Sequence, residues 1–467
     1  MERFPDQDQP TSATQTLSRI ADVFQDQMRA CLGLEGGLPE LCVPTRVYGS
    51  PFPVDSLVTA SVAVTLEAAA ELAEARTGRH PRVDFSAAHA ALAFQSERLL
   101  VPPAPLGPLM EPLSRFAPTR DGWIRLHANY PHHREALVRV LGHPSGVDST
   151  LARIAEWDGV DLEDRLHEAG GAAAVVRSAD GWREHPQGRA AAGQPLLRVA
   201  PSDHPCVPLR SPPPASLPCA GIRVLDLTRV ISGPVATRML VALGAEVLRL
   251  DSPQLPELRL HVLDGHIGKT SVMGDLGRPR HRAALQRMLE DIDLVVLGYR
   301  PGAMEPFGLE PSQLAVSHPW IGTVALSAWG DSGPWGHRRG FDSLVQAACG
   351  IATGCGSGDA PGALPVQALD HATGYLAAAA ALRLLTHREA HGRAAHARLA
   401  LVHTASLLLG HTVSETGGAD LPDPSPFMRQ MPTPEAGLGC LAPVGSVDGV
   451  QLEWPRGIQR PIEITEI

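Results

Sequence analysis

The chain has 467 residues, a formal net charge of −10 at pH 7, and 44% hydrophobic but only 4% aromatic residues. This length predicts two or three domains, and the composition predicts cores built from aliphatic side chains. The negative charge argues against nucleic acid as a partner. Arginines supply nearly all the positive charge, since Lys269 is the only lysine. An anionic ligand would therefore have to bind a local group of arginines.

The seven cysteines are scattered and form no C-x-x-C pair, which indicates a reducing compartment without disulfides or a zinc site. The first ten residues, MERFPDQDQP, are polar and lack the apolar segment of a signal peptide. The longest apolar run, Tyr375–Leu382, is too short to cross a membrane. We therefore expect a soluble cytoplasmic protein without a membrane partner.

Taken in chain order, residues 1–50 predict a polar N-terminal extension. Residues 51–197 begin with a long Ala-rich helix at Asp55–Thr77 and continue as a small α+β domain. Residues 198–220, RVAPSDHPCVPLRSPPPASLPCA, are rich in proline. Proline fixes φ and removes an N–H donor, so this segment is predicted to be a linker without regular structure.

Residues 221–251, GIRVLDLTRVISGPVATRMLVALGAEVLRLD, predict a strand, a turn, a helix and a second strand. Two apolar strands joined by a helix form a right-handed parallel βαβ unit. In such sheets ligands bind beyond the carboxyl ends of the strands, where helix N-termini attract phosphate. Residues 221–410 are therefore predicted to form a parallel, Rossmann-like α/β domain, followed by a tail at 411–467 without strong periodicity.

The Ala-rich helix occurs twice in the chain. When Gly78 is aligned with Gly392, both copies show a long Ala/Leu helix, a Gly-Arg turn and a strand. An aspartate opens each helix, Asp55 in the first copy and Asp370 in the second. The small α+β domain precedes the parallel sheet, and only a Pro- and Gly-rich tail follows it. The first half therefore has the organisation of a degenerate, permuted copy of the second.

Further motifs follow the βαβ unit in order: GKTSV at 268–272, DLVVLGYRPG at 293–302, SAWG at 327–330, GFDSLVQAACG at 340–350 and PVQALDHATG at 365–374. Together with 221–251 they resemble the family III CoA-transferases, also called the CaiB/BaiF family. The resemblance implies a Rossmann-like CoA domain, a smaller α+β domain and an interlocked homodimer. It also implies coenzyme A as a substrate, no permanently bound cofactor, and an acyl-CoA and a carboxylic acid as partners.

In that family the aspartate of the last motif is the nucleophile, which makes Asp370 the catalytic candidate. Its attack on an acyl-CoA thioester would form an acyl-aspartyl anhydride, and the returning thiolate would form an aspartyl-CoA thioester. A plain helix cap is the structural alternative for Asp370. Asp55 is the rival nucleophile in the first copy.

The same resemblance places the nucleotide end of CoA against residues that follow the predicted strands: Arg229, Val230, Ile231, Ser232, Asp251, Tyr299 and Arg300. An arginine guanidinium suits this role because it forms bidentate bonds with phosphate and stacks on adenine. The chain departs from the family at Gly298, where Asn is usual, and at Pro306, where Arg is frequent. Both changes weaken the expected CoA contacts.

These departures keep open an alternative function, a catalytically silent relative that acts as a binding or assembly subunit. A third function, that of the related 2-methylacyl-CoA racemases, is disfavoured because Phe341 occupies the position of their proton-transferring histidine. His127 and the segment Asn129–Arg134 (NYPHHR) lack a carboxylate at ligand spacing. No metal site is therefore expected.

Overall fold

The computed structural model describes residues 12–35, 41–108, 110–210, 216–414 and 416–467. Its helices are α1 (Ser12–Leu32), α2 (Val54–Thr77), α3 (Ala87–Ala93), α4 (Pro131–Val140), α5 (Val147–Ile154), α6 (Gly159–Glu168), α7 (Ala179–Glu184), α8 (Pro186–Ala192), α9 (Ser232–Ala242), α10 (Arg259–Gly265), α11 (Pro279–Leu289), α12 (Pro311–Ser317), α13 (Asp342–Cys349), α14 (Ile351–Gly354), α15 (Ala368–His391) and α16 (Leu401–Leu409).

The strands are β1 (Val83–Asp84), β2 (Phe116–Pro118), β3 (Trp123–Leu126), β4 (Ala173–Val175), β5 (Leu197–Pro205), β6 (Arg223–Leu227), β7 (Glu246–Asp251), β8 (Thr270–Met273), β9 (Leu294–Leu297), β10 (Gly322–Ser327), β11 (Arg393–Ala400), β12 (Met428–Pro432), β13 (Gly437–Leu441), β14 (Ser446–Val447), β15 (Val450–Gln451) and β16 (Ile462–Glu463).

The largest sheet has eight strands in the order β16-β8-β7-β6-β9-β10-β11-β5. All neighbouring pairs are parallel except β11 and β5. The βαβ unit predicted at 221–251 is β6–α9–β7, and Val224 lies opposite Val247. This sheet confirms the α/β class, and the smaller sheets of the chain accompany it.

The predicted linker contains regular structure. Residues Leu197–Pro205 form β5, which pairs antiparallel with β11 and brings Leu197 opposite Leu399. Because β5 is the edge strand of the sheet, no further strand pairs with its outer side, and its prolines interrupt no backbone hydrogen bonds there. The tail also contributes a strand, since Ile462 in β16 lies opposite Val272 at the other edge.

The two Ala-rich helices, α2 and α15, pack directly against each other. Each has 24 residues and ends at a left-handed glycine, Gly78 with φ +72° and Gly392 with φ +62°. The residues before them also share one conformation, with φ −77° and ψ 66° at Pro53 and φ −73° and ψ 61° at Gln367. Glycine occupies the C-terminal cap of each helix because it adopts positive φ without a steric cost.

The small domain is the three-stranded sheet β2-β3-β4 with helices α4 to α8. It is bound to the rest of the chain by Gln187, whose amide donates to the carbonyls of Trp329 (2.8 Å) and Ser332 (2.9 Å). The Arg177 amide donates to the Ala347 carbonyl of α13 (3.0 Å). The small domain thus packs beside the carboxyl ends of the central strands, on elements of the same chain.

Lys269 anchors a buried polar network under β6. Its ammonium is fully buried and donates to Asp226 (2.9 Å) and Thr237 (2.7 Å). Burial lowers the pKa of Lys269 to about 8. Arg249, also fully buried, lies 3.9 Å from Asp226 and 3.1 Å from Asp251. Paired in this way, the charges fix the ends of β6 and β7 near the turn that follows β6.

Among the described helices, α2 alone has the length and apolar composition of a membrane span, and 94% of its most apolar window is buried inside the protein.

Candidate active site

A cleft of about 230 Å³ lies between the small domain and the carboxyl ends of β6, β9 and β10. The sequence predicts eight site residues, and six of them line this cleft: Arg229, Val230, Ser232, Tyr299, Arg300 and Asp370. Four elements bring them together, because the turn after β6, the turn after β9, α9 and α15 all meet at one end of the sheet. This is the end at which α/β proteins bind ligands.

Asp370 lies in the first turn of α15 and is 7% exposed. One turn later, Gly374 lets α15 approach α9, since a Cβ atom there would lie 2.5 Å from the Ser232 carbonyl oxygen. No hydrogen bond joins the Asp370 carboxylate to any described residue. Burial, followed by the charges of Asp342 and Glu97, raises the pKa of Asp370 well above its ordinary value. The Asp370 carboxyl group therefore lacks the hydrogen-bond donors that would stabilise its ionised form and reduce its reactivity.

Asp342, the first residue of α13, positions Asp370. Its carboxylate accepts a hydrogen bond from the Asp370 backbone amide (3.0 Å) and another from the Gln346 side chain. Burial raises the pKa of Asp342 to about 6. The two carboxyl groups are neighbours in a water-poor site, so ionisation of one opposes ionisation of the other.

Glu97 and His371 form a buried hydrogen-bonded pair close to Asp370. The His371 Nε2 lies 3.1 Å from a Glu97 carboxylate oxygen, and Phe94 stacks on the imidazole ring. Burial opposes ionisation of Glu97, yet the hydrogen bond and the charge of His371 lower the pKa of Glu97. Glu97 therefore adds a fixed negative charge near Asp370.

The turn after β6 contains a strained residue. Val230 has φ +67°, a left-handed conformation that a β-branched side chain rarely adopts. Glu257 holds this turn, since its carboxylate accepts from the Val230 amide (3.1 Å) and lies 3.3 Å from the Arg229 guanidinium. Burial opposes ionisation of Glu257, but Arg229 and other cations hold its pKa at about 2. Strain of this kind is typical of functional sites.

The arginines of the cleft differ in what they contact. Arg229 is committed to Glu257 and lies over the Tyr130 ring at 4.8 Å. Arg300 and Arg339 have no ion-pair partner among the described residues. Burial and then the neighbouring Arg300 lower the pKa of Arg339. Two cations that repel each other in a cleft form a favourable site for an anion such as a phosphate.

The other two predicted residues lie outside the cleft. Ile231 lines an adjoining cavity, which Asp370 also lines. Asp251 lines neither space, and its carboxylate contacts Arg249 (3.1 Å) and His266 (3.4 Å). The rival Asp55 is occupied as well, since its carboxylate accepts from the backbone amides of Val47 (3.0 Å) and Tyr48 (3.2 Å).

The two family departures have different surroundings. A Cβ atom on Gly298 would lie 3.1 Å from the Thr228 side chain, so an Asn there would require Thr228 to move. Pro306 lies exposed in the 3₁₀ turn Glu305–Phe307 and outside the cleft lining.

Sequence reasoning missed several residues that line the cleft. Tyr130, His132 and His133 come from the small domain, which the sequence analysis did not assign to the site. Arg338 and Arg339 directly precede the GFDSL motif, and two adjacent arginines before a predicted helix were a usable signal. Glu257 gave no signal, because its partners lie 27 and 28 positions away.

His127 stacks face to face on Phe341, with ring centroids 3.5 Å apart. Burial lowers the pKa of His127 well below its ordinary value. His133 lies 5.8 Å from His127, ring to ring, and no group of three metal-ligating side chains occurs among the residues that the structure describes. These histidines form an aromatic wall between the small domain and α13.

Residues 219–433 match the model of CoA-transferase family III. The matched segment runs from just before β6 to the end of β12 and includes Asp370. The resemblance found in the sequence is confirmed for this segment.

Curated relatives match the same part of the chain. The protein named "Probable fatty acyl-CoA transferase Rv3272", from Mycobacterium tuberculosis, is 34% identical over 46% of this chain and 59% of its own length. The succinate–glutarate CoA-transferase of Agrobacterium fabrum is 27% identical over 42% of this chain and 53% of its own length. The mouse succinyl-CoA:glutarate CoA-transferase is 30% identical over 38% and 43%. The chain thus spans about half the length of these relatives.

Two solved structures resemble the chain over a similar share. The crystal structure of Rv3272 from M. tuberculosis aligns with a TM-score of 0.39 and 35% identity, over 42% of this chain and 55% of that chain. A CaiB/BaiF family protein from Brucella suis aligns with a TM-score of 0.38 and 22% identity, over 48% and 65%.

Proposed function

We propose that the chain transfers coenzyme A between an acyl-CoA and a carboxylic acid, with Asp370 as the nucleophile. The observation that carries this proposal is the Asp370 carboxyl group itself. It is buried, no described residue hydrogen-bonds to it, and it lies where an arginine-lined cleft meets a second cavity. A structural aspartate at a helix start would instead bond backbone amides, as Asp55 does.

In the proposed reaction, the ionised Asp370 attacks the thioester carbonyl, the C–S bond breaks, and CoA leaves as a thiolate. The thiolate then attacks the Asp370 carbonyl of the resulting anhydride, which releases the donor acid and forms an aspartyl-CoA thioester. The acceptor carboxylate attacks this thioester, and the thiolate returns to the acceptor's acyl carbon. Asp370 is regenerated as a carboxylate, so the cycle needs neither ATP nor an oxidant.

The other residues of the cleft have roles that follow from their contacts. Arg300 and Arg339 have no acidic partner among the described residues and suit the phosphates of CoA. Asp342 and Glu257 act as positioning residues, the first through the Asp370 amide and the second through the Val230 turn. The N-termini of α13 and α15 both lie at Asp370, and their dipoles favour the negative charge that develops there.

The deciding experiment is intact-protein mass spectrometry of the full chain after mixing with a panel of acyl-CoAs and quenching with hydroxylamine. We expect a hydroxamate at Asp370 in the native protein and none in Asp370→Asn, with transfer activity reduced about 10³-fold or more. The matched control is Asp55→Asn, in the corresponding helix, which should retain the adduct.

An adduct lost only in Asp55→Asn would move the nucleophile to the first copy and overturn the assignment. CoA binding by calorimetry without any adduct or turnover would favour the alternative, a catalytically silent binding or assembly subunit. This alternative is tested because Gly298 and Pro306 depart from the family pattern.

A further inference from the structure

The second cavity at Asp370 has a volume of about 120 Å³ and is distinct from the arginine-lined cleft. Polar side chains reach it from four elements: His127 after β3, His261 of α10, Ser343 of α13, and Gln367 before α15. Val230, Phe341 and Asp370 line both spaces. Asp370 therefore lies at the boundary between the two, and a group bonded to it can extend into either one.

The polar side chains of this cavity lack protein partners. No other described residue hydrogen-bonds to the side chains of Ser343, His261 or Gln367, although Ser343 is only 8% exposed. A buried hydroxyl or imidazole without a partner costs about 1–3 kcal/mol. Such groups are uncommon unless a bound molecule or water satisfies them. His127 Nδ1, which also lines this cavity, is buried without a hydrogen-bond partner among the described residues. Together with the buried Ser343, it indicates that the occupant carries its own donors and acceptors.

The charges around this cavity disfavour a second carboxylate on the occupant. Glu97 lines it as a fixed anion paired with His371, and Asp342 adds another acidic group. Arg98 also lines the cavity, but its guanidinium donates to the Pro365 carbonyl (2.9 Å) and lies 3.8 Å from Glu97. Burial lowers the pKa of His261, so this imidazole is neutral near pH 7. Neutral polar groups beside the acidic Glu97 and Asp342 suit an uncharged hydroxyl group.

The volume sets the size of the occupant. An engineered cavity of about 150 Å³ holds benzene, which has six heavy atoms. A cavity of about 120 Å³ is therefore large enough for an acyl group of a few carbon atoms, and a long alkyl chain would extend beyond it.

From these observations we propose that this cavity is the acyl subsite of the transferase and that it selects a short, hydroxyl-bearing acyl group. The proposal rests on the function proposed above, because it takes Asp370 as the acyl acceptor. The hydroxyl group of the substrate would exchange hydrogen bonds with Ser343 and with His261 or Gln367, which places its carbonyl carbon against Asp370.

The test compares four thioesters with the full chain: 3-hydroxybutyryl-CoA, butyryl-CoA, succinyl-CoA and octanoyl-CoA. The first two differ by one hydroxyl group, so their ratio isolates its contribution. We expect kcat/KM for 3-hydroxybutyryl-CoA to exceed that for each of the other three at least tenfold, since a built polar site discriminates strongly against an analogue without the hydroxyl.

Ser343→Ala should reduce the ratio between 3-hydroxybutyryl-CoA and butyryl-CoA at least threefold. The matched control is Ser357→Ala, in an exposed loop outside both lined spaces, which should leave that ratio unchanged. Equal or faster adduct formation from butyryl-, succinyl- or octanoyl-CoA would overturn the subsite and leave the transferase intact. No adduct from any of the four would overturn both proposals.

Discussion

The two long helices α2 and α15 have the same architecture and different chemistry. Corresponding positions of the two helices are 314 residues apart: the first residues are 54 and 368, the last residues 77 and 391, and the glycine caps 78 and 392. The next helices, α3 and α16, start at 87 and 401, which is the same displacement. At this displacement the counterpart of Asp370 is Ser56, and Asp55 corresponds to Leu369.

This register corrects the pairing of Asp55 with Asp370 that the sequence suggested. One residue along an α-helix rotates a side chain by about 100°. Asp55 is therefore turned toward the preceding loop, where it accepts from the Val47 and Tyr48 amides. Ser56 is fully buried and donates to the Leu17 carbonyl of α1 (2.7 Å). In the first copy α1 covers this part of α2, whereas the corresponding part of α15 in the second copy borders the cleft.

Neither the long helix nor an aspartate near its start is sufficient to make a nucleophile. Asp370 differs by facing open volume without a hydrogen-bond donor from the described residues. The covering of α2 by α1 is as decisive as the loss of the carboxylate, because it removes the space for a substrate.

The largest expected effect comes from placing a carboxylate at the corresponding position of the first copy. Ser56→Asp should lower the free energy of unfolding by about 3 kcal/mol or more, because an ionised group there has no partner. Ser56→Ala, which loses one hydrogen bond, should cost only about 1 kcal/mol. Urea unfolding of both variants measures the difference. If Ser56→Asp were as stable as Ser56→Ala, the first copy would be able to accommodate a site, contrary to this comparison.

A smaller effect of opposite sign is expected at Asp370. Its raised pKa means that the folded state binds the proton more tightly than the unfolded chain, so stability is lost as pH rises above the unfolded pKa of about 3.9. Asp370→Asn should therefore raise the melting temperature at pH 7 by a few degrees. The gain should vanish at about pH 3.5, where the carboxyl group is protonated in both states. A variant less stable than the native protein at pH 7 would contradict this assignment.

The smallest expected effect concerns Asp342. Its charge is the second cause of the raised pKa of Asp370, and only the ionised Asp370 attacks a thioester. The rate should therefore fall as pH decreases, and Asp342→Asn should move this acid limb to lower pH. The side-chain carbonyl oxygen of the substituted asparagine remains an acceptor for the Asp370 amide. A profile of kcat/KM against pH checks the direction of this shift. An acid limb that does not move would show that Asp342 has no effect on the pKa of Asp370.

Much of the central sheet could be predicted from local patterns. The strand, helix and strand predicted within residues 221–251 become β6, α9 and β7. Residues 198–205 were mispredicted as part of a linker because proline disfavours a central strand but is tolerated on an edge, and position in a sheet is not a local property. In the tail, β14 and β16 were missed because they have two residues each and pair with distant strands, as Val447 does with Val83. The strands β12 and β13 form a local hairpin that the Pro- and Gly-rich sequence did not indicate.

The candidate site could be predicted in part for the same reason. Val230 and Arg300 follow β6 and β9, which are neighbours in the sheet, and they meet because parallel strands end at one edge. The strain at Val230 and its support by Glu257 depend on tertiary contacts that no spacing records. The contribution of the small domain, including Tyr130 and His127, required knowing that the first half of the chain folds over the second.

Chemical labelling of the buried Lys269 can be used to measure opening of the protein. As the chain's only lysine, with its ammonium enclosed under β6 and bonded to Asp226, it is shielded from amine-reactive reagents while the sheet is closed. The rate at which such a reagent labels this side chain thus reads the opening of the central sheet at a single position, without any engineered probe.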